Sequence, residues 1–141
     1  MTSIEITVEL CMSHRLREHQ GKCQNLHGHN YVLTVEVSGP LDERGMVMDF
    51  GELKKIVHQE VEESFDHATA LEVMDPLVDH LRGQKLYVMH CYPTAEHLLP
   101  LMVSFIDAAL PNTHQVCKAR LSETSGCAAL YRNPGTVEKV G

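Results

Sequence analysis

The sequence contains no tryptophan, three phenylalanines and four tyrosines, so aromatics make up only 5% of its 141 residues. A core built from it must rest on aliphatic side chains, which the 43% hydrophobic content supplies. Cations are also scarce: 12 lysines and arginines stand against 19 acids, a net charge of −7. That balance argues against general nucleic-acid binding, which needs a basic footprint. No apolar run approaches the length of a membrane span. The first ten residues alternate apolar and polar types and lack the basic flank and continuous apolar run of a signal peptide. A cytoplasmic protein with no membrane or nucleic-acid partner is expected. Five cysteines, at 11, 23, 91, 117 and 127, form no CxxC pair, and their odd count argues against a disulfide framework. Repeats, low-complexity tracts and linkers are absent too, so residues 1–141 read as one domain.

What is present is clear periodicity. Ile4, Ile6, Val8, Leu10 and Met12 alternate with Glu5, Thr7, Glu9 and Cys11, the pattern of a half-buried strand over 3–12. Residues 29–38 repeat it, with Tyr31, Leu33, Val35 and Val37 on one face and Gly39-Pro40 as the stop. Asp49, followed three residues later by Glu52, marks a helix start. Leu53, Ile56, Val57, Val61 and Ser64 then follow at helical spacing. Pro93-Thr94-Ala95-Glu96 opens a second helix, with Leu98, Met102, Phe105, Ile106 and Ala109 on one side. Pro100 is expected to kink it or loosen its first turns, and Pro111-Asn112 to close it. Residues 115–123 and 126–132 read as two strands joined by a tight turn at Thr124-Ser125-Gly126. This order predicts an α+β domain with helices packed on one face of an antiparallel sheet. Residues 66–92 offer short elements without a clear period.

Ten histidines are many for this length, and their placement matters more than their number. His27 and His29 flank Gly28 in a strand, so both imidazoles point to the same side. They are in phase with Tyr31 and Leu33, and His14 is in phase with Leu10 and Met12. Three imidazoles thus continue the buried faces of two strands. Neutral imidazoles converging at the end of a core suit zinc, with one coordination position left open. The plainer alternative for each is an ordinary hydrogen-bonded histidine. Cys23, four residues before His27 and beside Lys22, is a candidate base or nucleophile, since a neighbouring cation or metal lowers a thiol pKa. A fourth metal ligand or an inert loop thiol is its alternative. Asp66 beside His67 can orient an imidazole for proton transfer, or merely end a helix. Glu123 closes the apolar row Cys117, Ala119, Leu121, and a buried carboxylate needs N–H partners. Glu96 suits the first turn of a helix on dipole grounds alone.

Together these residues form a family pattern. Its landmarks are Ser13-His14-Arg15-Leu16, Cys23 through His27-Gly28-His29-Asn30, Met48-Asp49-Phe50, Asp66-His67, Pro93-Thr94-Ala95-Glu96, and Ser122-Glu123-Thr124 before Gly126-Cys127. In this order they make the chain resemble the 6-pyruvoyl-tetrahydropterin synthase family over nearly its whole length. The short spacer between Cys23 and His27 resembles the queuosine-pathway branch, the 6-carboxytetrahydropterin synthases. The resemblance implies a tunnelling fold: a four-stranded antiparallel sheet with two helices on one face. It implies three subunits joining their sheets into a barrel, two such trimers in a homohexamer, and active sites between subunits.

It also implies a reaction. Zinc held by His14, His27 and His29 would act as a Lewis acid on the side-chain hydroxyls of 7,8-dihydroneopterin triphosphate. Cys23 would remove a proton, and His67, oriented by Asp66, would exchange protons on the other face. Triphosphate and acetaldehyde would leave, and 6-carboxy-5,6,7,8-tetrahydropterin would remain for 7-deazaguanine synthesis. Glu123 would hold the pterin ring, with Glu96 assisting. Arg15 is the cation that the motif supports for the triphosphate, while Arg17 and Lys22 are candidates by proximity. Rival readings are a synthase that keeps the side-chain carbons, and a non-catalytic zinc- or pterin-binding module.

Overall fold

A computed structural model describes residues 1–136; residues 137–141 of the expected domain lie outside the described residues. The elements are β1 (Ser3–His14), β2 (His27–Ser38), α1 (Phe50–Val57), α2 (Glu63–Phe65), β3 (Thr69–Glu72), α3 (Leu77–His80), β4 (Leu86–Met89), α4 (Ala95–Ala109), β5 (Gln115–Thr124) and β6 (Cys127–Arg132). Alternation makes β1 and β2 a long antiparallel ladder, in register from Ser3 opposite Ser38 to His14 opposite His27. Ile6, Leu10 and Met12 of β1, with Tyr31, Leu33, Val35 and Val37 of β2, are buried on one face. β5 pairs antiparallel with β2, and β6 with β5. The turn between β5 and β6 is tight as expected, with the Gly126 N–H donating to Thr124 Oγ1 at 3.2 Å.

The sheet has six strands in the order β4-β3-β1-β2-β5-β6, not the four expected. The expected antiparallel set is its β1-β2-β5-β6 part. The correction is a parallel annex: β3 pairs with β1 only at Ser13 and His14, and β4 runs beside β3. Each annex strand has four residues, too few to show a period in sequence. Two irregularities also disturb parity on β5. The register slips between β2 and β5 next to Val37, so Val116 and Cys117 are both buried. It slips again between β5 and β6 at Glu123.

Asp49 caps α1 by accepting from the Gly51 and Glu52 N–H groups at 2.7 and 3.3 Å. From α1 the chain passes through a π-helical turn, His58–Glu62, into α2 as one continuous rod. Its buried residues are Leu53, Val57, Val61 and Phe65, each four apart. Steps of four overshoot an α-helical turn of about 3.6 residues, and the wider π turn brings the stripe back onto the sheet. α4 starts at Thr94, whose hydroxyl accepts from the His97 N–H at 3.2 Å. It runs unbroken to Ala109, so the expected disruption at Pro100 does not interrupt it. Pro100 and Glu96 face solvent, where water serves the carbonyl that a proline cannot bond. α1 packs on β1 and α4 on β5 and β6, all on the same face of the sheet. α3, only four residues long, adds a short helix that the sequence did not signal.

The opposite face carries charge in rows. Glu5 lies opposite Glu36, Glu36 opposite Lys118, and Lys118 opposite Arg132. One half of that row is acidic and the other basic. Residues 3–12 of β1 have no strand on their outer side among the described residues, because β3 reaches only Ser13 and His14.

Candidate metal centre

β1 ends and β2 begins on the imidazoles that alternation assigned to the buried face. Opposite registers bring His14 and His27 face to face, and His29 is one pleat further along. The ring centroids are 4.7 Å apart for His14 and His27, 4.9 Å for His27 and His29, and 5.3 Å for His14 and His29. One nitrogen from each lies within 4.8 Å of the others. His14 is 2% exposed, and burial pulls its pKa below the usual histidine value, which favours the neutral ring.

The hydrogen bonds decide which nitrogens are free. His14 Nδ1–H donates to the Pro93 carbonyl at 2.7 Å, and His27 Nδ1–H to the Asn25 carbonyl at 2.6 Å. Both Nε2 atoms then carry lone pairs, yet they face each other at 3.1 Å. His29 Nε2 is buried and has no hydrogen-bond partner among the described residues. Three convergent ring nitrogens, two of them on backbone-anchored rings, fit a divalent cation, and nitrogen donors favour zinc among the common ions.

Tyr31 forms the floor, a role that sequence reasoning missed by reading it as core. It is fully buried, with its hydroxyl 3.2 Å from His14 Nδ1 and 3.4 Å from Nε2. Burial, then the charges of Glu123 and Cys23, hold that hydroxyl well above the usual tyrosine range, so it stays protonated. Glu123 Oε2 is 3.8 Å from His29 Nε2, and Cys23 sits in a short 3-10 turn, Lys22–Gln24, in the loop joining the two histidine strands.

Asp66 and His67 lie elsewhere. Asp66 Oδ1 accepts from the Cys11 N–H at 2.9 Å, and Oδ2 is 2.9 Å from His67 Nδ1. Burial acts to raise the Asp66 carboxyl, but the Cys11 N–H and His67 outweigh it and keep it below the usual carboxylate range. His67 holds a left-handed backbone at φ 61°, tied by its N–H to the Cys11 carbonyl at 2.5 Å. Its side chain is 76% exposed. It borders an open cleft of about 440 Å³ with Cys11, Met12, Ser13, Gly28, His29 and Asn30. Among the described residues, no hydrogen bond or ring contact joins Asp66 or His67 to the imidazole cluster.

Two further expectations meet other partners. The Arg15 guanidinium forms a bidentate pair with buried Asp75, Nε to Oδ2 at 2.7 Å and Nη2 to Oδ1. That leaves at most its outer edge for a substrate phosphate. Glu96 is exposed in the first turn of α4.

A profile of the 6-pyruvoyl tetrahydropterin synthase family matches residues 3–134. The chain belongs to this family. It is 36% identical over 127 residues to a 6-carboxy-5,6,7,8-tetrahydropterin synthase of Rickettsia conorii, covering 85% of this chain and 92% of that protein. A protein of the same name from Aquifex aeolicus is 36% identical over 124 residues, covering 79% and 76%. Among solved structures, the 6-pyruvoyl tetrahydropterin synthase of Caenorhabditis elegans superposes with a TM-score of 0.70 at 26% identity, covering 94% of this chain and 95% of that one. An uncharacterised protein from Wolinella succinogenes gives 0.77 at 20% identity, covering 94% and 98%, a likeness of fold alone. His14, His27 and His29 together could hold a metal ion.

Proposed function

We propose that this chain is a cytoplasmic, zinc-dependent lyase of 7-deazaguanine synthesis, the pathway that leads to queuosine. It converts 7,8-dihydroneopterin triphosphate and water into 6-carboxy-5,6,7,8-tetrahydropterin, triphosphate and acetaldehyde. The observation that carries the reading is the pair of opposed Nε2 lone pairs beside an unpartnered His29 Nε2. The names of relatives about one-third identical over most of the chain supply the substrate and product class.

His14, His27 and His29 would hold the zinc, which supplies Lewis-acid polarisation of the substrate hydroxyls when bound. The Cys23 thiolate takes a side-chain proton. Asp66 fixes the His67 Nδ1–H, leaving Nε2 to pass protons. The Glu123 carboxylate accepts the N–H donors of the pterin ring at the inner end of the site. Glu96 assists Glu123 with the pterin ring, and the outer edge of Arg15 acts toward the phosphates. His67 pairs with Asp66 and makes no hydrogen bond or ring contact with the cluster among the described residues, so we place it in the site of a neighbouring subunit. Three chains closing a barrel, and two barrels stacking as a hexamer, supply that neighbour.

The test is incubation of zinc-loaded protein with 7,8-dihydroneopterin triphosphate, followed by mass spectrometry and an acetaldehyde assay. Carboxypterin with acetaldehyde is expected, and Cys23→Ala is expected to abolish turnover with zinc retained. A pyruvoyl product would move the chain to the other branch of the family. No conversion by zinc-loaded protein would leave a binding module.

A further inference from the structure

The loop that carries Cys23 has its own fastening, separate from the imidazoles. It leaves β1 after His14 and rejoins at His27. Leu16 is its hub: its N–H donates to the Cys23 carbonyl at 2.7 Å, and its carbonyl accepts from the His19 N–H at 2.8 Å. The residues around this hub are all tied outward. Arg15 grips Asp75, which is 3% exposed and also accepts from the Leu77 N–H at 2.9 Å to open α3. Arg17 Nε donates to Glu72 Oε2 of β3 at 3.0 Å, and Glu18 accepts from the Tyr92 hydroxyl. Tyr92 precedes Pro93, whose carbonyl holds His14.

Asp75 and Glu72 touch neither the imidazoles nor Cys23. A buried bidentate arginine pair resists solvent far better than a surface ion pair. Nothing in an ordinary surface loop requires a buried carboxylate, and an unpaired one would be strongly unfavourable. Arg15 and Arg17, two of the three cations that sequence reasoning set beside the phosphate, therefore pair with acids at the end of β3 and just after it.

We propose that Asp75 and Glu72 are positioning residues: they clamp Arg15 and Arg17, and through the Leu16 N–H they fix the Cys23 backbone in the loop that joins the two histidine strands. The kinetic consequence rests on the role given to Cys23 above, but the geometry does not.

The test uses charge reversal at the more exposed pair, in full-length zinc-loaded protein. Arg17→Glu and Glu72→Arg are compared singly and together. The rate of Cys23 alkylation by iodoacetamide is read by peptide mass spectrometry, with Cys91 as an internal reference. Each single variant is expected to label Cys23 roughly three- to tenfold faster, with zinc stoichiometry unchanged. The double variant is expected to return the rate toward wild type, and kcat to follow the same pattern with KM little altered. Unchanged Cys23 labelling in both single variants overturns the clamp, and so does failure of the double variant to recover. Should a charge reversal fail to fold, Glu72→Gln and Arg17→Gln provide the same comparison, and equal Cys23 and Cys91 rates in both overturn the proposal. Full activity of Cys23→Ser would remove the kinetic role and leave the labelling result standing.

Discussion

His14 enters the cluster with one nitrogen already committed to Pro93, so its tautomer is set before any ion arrives. His29 has no such partner for Nε2 and is the most exacting of the three donors. His29→Ala should abolish stoichiometric zinc binding, measured by metal analysis after dialysis. His67→Ala should leave zinc in place, because His67 is not one of the three converging imidazoles. Asp75 gives a pH signature. Burial acts to raise its carboxyl, but Arg15 and the Leu77 N–H outweigh this and leave it below the ordinary carboxylate range. A carboxyl lowered in the folded state stabilises the fold above its unfolded pKa of about 3.9. That stabilisation is lost as pH falls through the lower folded value. The melting temperature should therefore drop steeply below about pH 4, and Asp75→Asn should be less stable at neutrality but show a shallower acid decline.

Pro100 illustrates the element scale. It lies on the exposed side of an unbroken α4, where Pro100→Ala adds an N–H to bond the Glu96 carbonyl. Stability should rise by about 1–3 kcal/mol in chemical denaturation. The long strands, the Asp49 and Thr94 caps and the β5–β6 turn were all legible, because alternation and capping are local signals. β3 and β4 were not, since a four-residue strand is defined by its neighbours rather than by its own pattern. The same distinction holds at the site. The imidazoles could be read from parity, whereas Tyr31 as floor and Asp75 as partner of Arg15 depend on contacts 17 and 60 residues apart.

For the whole molecule, the charge rows on the open face bear on assembly. If chains join with the free edge of β1 beside β6 of the next, as the proposed barrel requires, the acidic half of one sheet meets the basic half of its neighbour. Glu5 then faces Arg132 of the adjoining copy, an arrangement that favours head-to-tail closure over like edges meeting. Arg132→Glu should shift the protein toward monomer in analytical ultracentrifugation at low salt, and adding Glu5→Arg should recover the larger species. Retention of the assembly by Arg132→Glu would exclude this edge from the contact.

Among the described residues, β3 pairs with β1 only at Ser13 and His14, reinforced by the Ser13 and Thr69 hydroxyls at 2.6 Å and by the Ser13 N–H to the Ala68 carbonyl at 3.0 Å. A short parallel pairing of this kind is the sort of unit that opens without global unfolding. The strand that would fray is thus stitched to the residue that would grip the ion. Escape of an ion held there would become a matter of breathing: its residence time would follow how often β3 lifts from β1, and anything that stiffens that seam would lengthen it.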